Sequence, residues 1–258
     1  MAGQSILITG GAGGIGSALA RLLVSSGDNV ILFGRRAEAV EVLAEELGAQ
    51  AIACPGDSGL PADLDRAVEL GLSQFGKIDG LAHCVGSIRL KALHLTTPEE
   101  FTETLHTNLT TAFLACRAVL GPLRKQNSGS IVLVSSVAAT QGLNNHESIA
   151  AAKGGIEGLV RAAAITYARQ NIRFNAVAPS LTETPLAAPL LRSEAARAFS
   201  EAMHPLGRIG RPEDIARPIA YLLSEQASWV TGQVWGIDGG LGAGIAPARP
   251  AAIVKPSS

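Results

Sequence analysis

The chain has little charge, little sulfur and no long apolar run. Lys, Arg, Asp and Glu make up 17% of its 258 residues and nearly cancel, to a formal charge of −1. A balance that close creates no global field toward nucleic acid or an anionic membrane, so neither is an expected partner. The three cysteines, Cys54, Cys84 and Cys116, are scattered, odd in number and without metal-ligand spacing. That excludes a disulfide framework, points to no metal site and suits a reducing cytoplasm, the expected location. No uninterrupted apolar stretch approaches the ~20 residues of a membrane-spanning helix. The opening residues run straight into a strand, with no basic segment before an apolar one, so no secretory signal is expected.

Hydrophobic residues, in contrast, reach 47%. That is the composition of a compact, buried protein, and the length suffices for one large α/β domain. Short apolar runs at residues 5–9, 29–33, 50–54, 78–84, 130–135, 172–178 and 233–237 read as strands. Helical spacing of apolar residues occupies 17–24, 37–47, 61–75, 98–123, 147–169 and 212–223. Continuous apolar strands alternating with amphipathic helices imply a parallel sheet covered on both faces, and right-handed crossovers make it doubly wound. Residues 1–243 are expected to form this single domain, followed by a Pro/Ala-rich tail at 244–258. Residues 182–206, rich in Ala, Leu and Pro, lie beyond a strand's C-terminal end, where an insertion covers a ligand.

The loop from the first strand to the first helix reads Thr9-Gly10-Gly11-Ala12-Gly13-Gly14-Ile15-Gly16. Gly11, Gly13 and Gly16 fit G-x-G-x-x-G, while Thr9, Gly10, Gly14 and Gly16 fit T-G-x-x-x-G-x-G. Glycines permit the sharp turn and let a pyrophosphate approach the backbone, and the helix N-terminus offers it free N–H groups. The position between strand and helix fits a Rossmann dinucleotide-binding fold. At the end of the second strand an NAD site would place a carboxylate for the ribose hydroxyls. Here Phe33-Gly34 is followed by Arg35 and Arg36, which suit the 2′-phosphate of NADP(H) and predict its preference over NAD(H).

Beyond this loop the chain resembles the short-chain dehydrogenase/reductase family over almost its whole length. Asp57-Ser58 resembles the dipeptide that contacts adenine in that family. His83-Cys84-Val85-Gly86 stands where the family has N-N-A-G and keeps only Gly86. Pro179-Ser180-Leu181-Thr182-Glu183-Thr184 is similar to the Pro-Gly segment around the nicotinamide, with serine for glycine. The resemblance thus implies cofactor contacts at Pro179, Thr182 and Thr184 and at Ile15 in the glycine loop. Arg208–Ala216 and Gly232–Gly240 resemble the family's C-terminal segments. A homotetramer is implied by resemblance alone.

In the family, catalysis uses Asn, Ser, Tyr and Lys. Asn108, Ser136 and Lys153 match three of them, and the tyrosine position holds Ile149, which neither donates nor accepts a proton. The lysine's ribose contact survives that change; the placed acid, usually worth ~10²–10⁴-fold in rate, does not. His146, seven residues before Lys153, would share its helix face if the helix already included it, and could then carry the proton. Alternatively Asn144 caps the helix, with Glu147 three residues on, and His146 is a first-turn surface residue. Tyr167 lies too far along the helix to reach the site, His94 reads as a wall residue in preference to an acid, and His204 falls in the covering segment, from which it could approach a bound substrate.

Two functions follow. One is an NADP(H)-dependent oxidoreductase with a non-standard proton donor, acting on a small or medium apolar carbonyl, alcohol or activated alkene. Leu186, Ala187, Ala188, Leu190 and Leu191 in the covering segment argue for the apolar substrate. The alternative is a catalytically silent dinucleotide-binding homologue that serves as a partner subunit or redox sensor.

Overall fold

The computed structural model describes residues 3–244. Of the expected tail, residues 245–258 lie outside this range. Seven parallel strands form one sheet: β1 (Ser5–Thr9), β2 (Asn29–Gly34), β3 (Ala51–Pro55), β4 (Gly80–His83), β5 (Gly129–Val134), β6 (Ile172–Pro179) and β7 (Val234–Ile237). Their order is β3-β2-β1-β4-β5-β6-β7. The helices are α1 (Gly14–Ser25), α2 (Ala37–Leu47), α3 (Pro61–Phe75), α4 (Pro98–Leu105), α5 (Thr111–Gln126), α6 (Glu147–Tyr167), α7 (Glu194–Met203) and α8 (Pro212–Leu223). The fold is a doubly wound α/β sheet of Rossmann type in a single domain.

Two apolar layers hold it together, and the strand period of two divides the residues between them. Ile6 and Ile8 of β1 join Leu19 and Leu23 of α1, Leu43 of α2 and Ile219 of α8 on one face. Leu7 between them joins Leu64 of α3, Val119 of α5 and Val160 of α6 on the other. Full burial of each such side chain stabilises by about 1.5–3 kcal/mol. Both faces are covered, which is why the strands read as unbroken apolar runs. Among the described residues, no helix is long and apolar enough to cross a membrane.

The stretch 98–123 is not one helix. Between α4 and α5 the chain makes a π-helical turn, His106–Thr110. Side chains account for the irregularity: Asn108 Nδ2 donates to Thr104 O (3.0 Å) and Thr111 Oγ1 donates to Thr107 O (2.7 Å), each a carbonyl four residues back. The expected cap of α6 also differs. Asn145 takes a left-handed φ of 62°, and His146 rather than Asn144 occupies the cap position.

The sheet order reverses direction between β1 and β4. Loops leaving these two strands part to opposite faces, and the crevice so formed at their C-terminal ends is where such folds bind ligands.

Candidate active site

The crevice floor is the glycine loop. Gly10 has φ +71°, and a methyl group there would stand 3.0 Å from the Cys84 carbonyl, so β1 and β4 can approach this closely only with glycine. The loop closes on itself through Gly13 N–H to Gly10 O (2.9 Å), and α1 begins at Gly14. Gly13 supplies no side-chain cap, and no acidic residue sits in the first turn. The N–H groups of Gly14, Ile15 and Gly16 therefore have no intrahelical acceptor and point at the space an anion would fill. Thr184 leans over this edge: any side chain at Gly14 would strike its methyl group. Its hydroxyl accepts from Ala187 N–H (3.3 Å), so the covering segment is folded onto the loop.

The groove continues past Arg35, Arg36, Asp57 and Ser58, with a volume of about 380 Å³. Both arginines are exposed, and no carboxylate ends β2. Arg36 Nη2 donates to Ala12 O (2.9 Å), which draws this guanidinium across the rim of the glycine loop. Asp57 Oδ1 accepts from Gly59 N–H (2.8 Å), and Ser58 is buried beneath the groove wall.

His83 fastens the crevice from below. Thr111 Oγ1 donates to Thr107 O, so it accepts from His83 Nε2–H (3.3 Å), and Nδ1 is left to accept from Thr9 Oγ1 (2.8 Å). The fully buried ring thus ties β1 to β4 and α5, and Thr9 supports the loop from underneath. Burial pushes the imidazole down to about 3, and the Lys153 ammonium adds to the effect, so His83 is neutral and structural. His83→Ala strips two buried hydroxyls of their partner and opens a cavity. Thermal or urea unfolding is expected to show a loss of about 2–4 kcal/mol. An unchanged stability would contradict the clasp.

Asn108, Lys153 and Gly86 meet at the same place. A methyl group on Gly86 would lie 3.0 Å from Asn108 Oδ1 and 3.6 Å from Lys153 Nζ. Asn108 is fully buried; Oδ1 accepts from Ser87 N–H (3.0 Å) and Nδ2 donates to Ser87 Oγ (2.9 Å). Lys153 is 5% exposed and donates to Val134 O (2.7 Å), leaving two ammonium hydrogens for a ligand. Burial pulls its pKa down to about 8. Cys84 beside them is pushed up to about 12, again by burial, and remains a thiol. Ser136 follows β5; its Oγ accepts from Ala138 N–H (3.2 Å), so its own hydrogen is free to donate to a substrate oxygen.

Other sequence candidates fall elsewhere. Ile149 is buried one turn before Lys153. His146 precedes α6, so the shared helix face that would aim its ring at Lys153 is not formed; its Nδ1 contacts Asn144 O (2.7 Å). Tyr167 ends α6 and stacks on Phe174 (5.6 Å between centroids). His94 is exposed in a short 3₁₀ turn, Leu93–Leu95. Pro179 ends β6 and Thr182 is buried, donating to Ser180 O (3.1 Å) and bridged to Gly210. Two features escape sequence reasoning: the His83 clasp, whose only signal is a polar residue ending a buried strand, and the placement of His204, which is buried against Ser180.

Known proteins share this architecture. A family profile described as enoyl-(acyl carrier protein) reductase matches residues 10–242. The chain is 38% identical to cis-4-hydroxycyclohexanecarboxylate dehydrogenase of Sinomonas cyclohexanicum, over 91% of this chain and 94% of that protein. It is 36% identical to 3-oxoacyl-(acyl-carrier-protein) reductase of Thermotoga maritima, over 93% and 98%. The crystal structure of 3-ketoacyl-(acyl-carrier-protein) reductase from Brucella melitensis complexed with NADH superposes with a TM-score of 0.86 at 32% identity, covering 93% of this chain and 98% of that one. With a glycine loop at the strand reversal and Asn108, Ser136 and Lys153 around it, the chain belongs to the short-chain dehydrogenase/reductase family and is an NAD(P)-dependent oxidoreductase of that type.

Proposed function

We propose that this protein is an NADP(H)-dependent oxidoreductase acting on a small or medium apolar alcohol, ketone or activated alkene, with a proton path that does not run through residue 149. The observation that carries the reading is the meeting of Gly86, Asn108 and Lys153 directly beyond the free amides of the glycine loop. Gly14, Ile15 and Gly16 bind the pyrophosphate, Arg35 and Arg36 the 2′-phosphate, and Lys153 the nicotinamide ribose. Asp57 and Ser58 border the adenine. Pro179, Thr182 and Thr184 shape the nicotinamide end.

When bound, the nicotinamide supplies or accepts a hydride at the substrate carbon. Ser136 donates to the substrate oxygen and orients it. Asn108 holds the π-helical turn against Gly86 and keeps that wall in place. A Ser136 hydroxyl whose hydrogen is still free to donate has no use in a protein that only binds nucleotide, which favours an enzyme. The apolar covering segment and the relationship to a cyclohexanecarboxylate dehydrogenase both support a cyclic or other apolar secondary alcohol. We also expect a homotetramer, which light scattering checks directly.

The test is a turnover screen that follows nicotinamide absorbance, using cyclic secondary alcohols with NADP⁺ and ketones and enones with NADPH. Turnover of at least one class is expected, with kcat/KM at least about tenfold higher for the phosphorylated cofactor, the worth of one charge-assisted contact. Equal rates with NADH would remove the cofactor preference; silence with every pair would remove the activity.

A further inference from the structure

The rim of the sheet carries a polar pair that the proposed function does not use. His204, at the end of α7, is 4% exposed. Its Nδ1 lies 2.6 Å from Ser200 O and its Nε2 lies 2.8 Å from Ser180 Oγ. A carbonyl only accepts, so Nδ1 carries a hydrogen. Nε2 then shares one proton with Ser180: the neutral ring accepts it, and the imidazolium returns it. Ser180 is half-buried, so the pair is not sealed from solvent on the serine's side.

The strand register places this pair beside the site. Val134 of β5 pairs with Val177 of β6, and Ser135 N–H donates to Val177 O (2.7 Å). Ser136 lies two residues past the end of β5 and keeps extended backbone (φ −160°, ψ 149°), so continuing that register would set it level with Pro179, about one strand spacing (~5 Å) away. Ser180 is the next residue. The His204 ring backs onto Gly239, just after β7, where a methyl group would lie 3.5 Å from Cδ2. Ser136, Ser180 and His204 thus share the C-terminal rim of β5, β6 and β7.

The other titratable groups near this rim are engaged elsewhere. Lys153 donates to Val134 O and keeps its two remaining hydrogens for the cofactor's ribose in the function proposed above, both nitrogens of His83 are bonded to threonines, and Asp238, just after β7, accepts from the N–H groups of Gly240 and Gly242. The Cys84 thiol holds its proton. Ile149 has none to give.

We propose that Ser180 and His204 form the proton relay of this enzyme, with Ser180 Oγ meeting the substrate oxygen and His204 Nε2 holding the proton behind it. The proposal rests on the oxidoreductase function above. In alcohol oxidation, the substrate O–H bond breaks and its proton passes to Ser180 Oγ as the serine's own proton passes to Nε2. The carbon-bound hydrogen leaves as hydride to the oxidised nicotinamide, and the C–O bond becomes C=O. The imidazolium then releases its Nε2 proton to solvent. Reduction is the reverse, beginning from the imidazolium. Serine alone is too weak a base for this exchange, which is why a histidine with a fixed Nδ1–H matters.

The test has a kinetic arm and a spectroscopic arm. For the alcohol that the wild type oxidises fastest, Ser180→Gly and His204→Gln are each expected to lower kcat at least about 100-fold, with KM and NADPH affinity within about threefold. The double variant should be no slower than His204→Gln, because the two act as one unit. Ser180→Thr, which keeps the hydroxyl, should retain most of the rate, and His146→Ala should change kcat less than about threefold. In the nucleotide-free protein, ¹⁵N spectra should show His204 protonated at Nδ1, with an Nε2 resonance that moves in Ser180→Gly. If His204→Gln does not fold, Ser180→Gly and the spectra carry the test.

A bare Nδ1 would overturn the relay. So would a loss confined to KM or nucleotide affinity, since the pair would then only latch the covering segment. An active wild type with unaffected variants removes this proposal alone. A wild type that binds NADPH and turns over nothing removes the proposed activity, and the relay with it.

Discussion

Lys153→Met is expected to give a more stable protein with almost no turnover. Lys153 is 5% exposed, and burial holds its pKa at about 8 against 10.5 for a free lysine. Below about pH 8 the group is charged whether the chain is folded or not, so the folded state bears the whole cost of burying a cation. Between about 8 and 10.5 the unfolded chain keeps the proton that the folded one sheds, and stability rises with pH through that window. Methionine has similar length and no charge. It leaves Val134 O without its donor, a penalty of about 1–3 kcal/mol that offsets part of the gain. We expect a net stabilisation of about 1–2 kcal/mol at pH 7, or a Tm higher by about 2–8 °C for a chain of this size. The alkaline rise in stability should shrink in the variant.

Turnover should fall more than about 100-fold, because the proposed function assigns this buried ammonium to the cofactor's sugar. Differential scanning calorimetry at pH 7 and pH 9.5, with a parallel rate assay, reads both effects. A variant that is less stable and still active would show that Lys153 serves the fold instead.

Arg35→Ala/Arg36→Ala should separate the two nicotinamide cofactors. Each guanidinium can make a charge-assisted contact to a 2′-phosphate, and such contacts contribute about 1.5–3 kcal/mol, or roughly 10–100-fold in affinity. Arg36 already leans toward the loop through Ala12 O, so less ordering is required of it than of Arg35, for which no hydrogen bond is formed among the described residues. The double variant is expected to bind NADPH at least about 100-fold more weakly, and NADH within about threefold of wild type. Both side chains are exposed, so added salt should erode the wild-type preference. Equal losses for the two nucleotides would mean that the arginines brace the glycine loop and do not read the phosphate.

Most of the architecture was legible because the sheet is buried on both faces. Runs such as 5–9 and 130–135 can satisfy their side chains only in the interior, and glycine-marked turns separate them from helices. The π-helical turn at His106–Thr110 was not legible. Apolar residues Ala112, Ala115, Cys116 and Val119 continue a helical rhythm on its far side, and one widened turn does not break the pattern. The start of α6 misled for a local reason: Asn144 and Glu147 have capping-box spacing, but the left-handed Asn145 moves the cap to His146.

For the site, residues adjacent in sequence were readable and residues joined across the fold were not. The glycine loop announces itself locally, and so does the absence of a carboxylate after β2, where Arg35 and Arg36 stand. His83 could be marked as a departure from an asparagine, but its partners Thr9 and Thr111 lie 74 and 28 residues away. His204 looked like part of a covering segment; only the folded chain brings its ring to Ser180, 24 residues earlier.

The central claim is that one dinucleotide lies across the loop of Gly10–Gly16 and reaches Lys153. Isothermal titration of the purified protein with NADPH tests it most directly. We predict one site per chain with an affinity in the micromolar range, at least about tenfold tighter than for NADH. An absence of heat with NADPH, NADP⁺, NADH and NAD⁺ alike would contradict it.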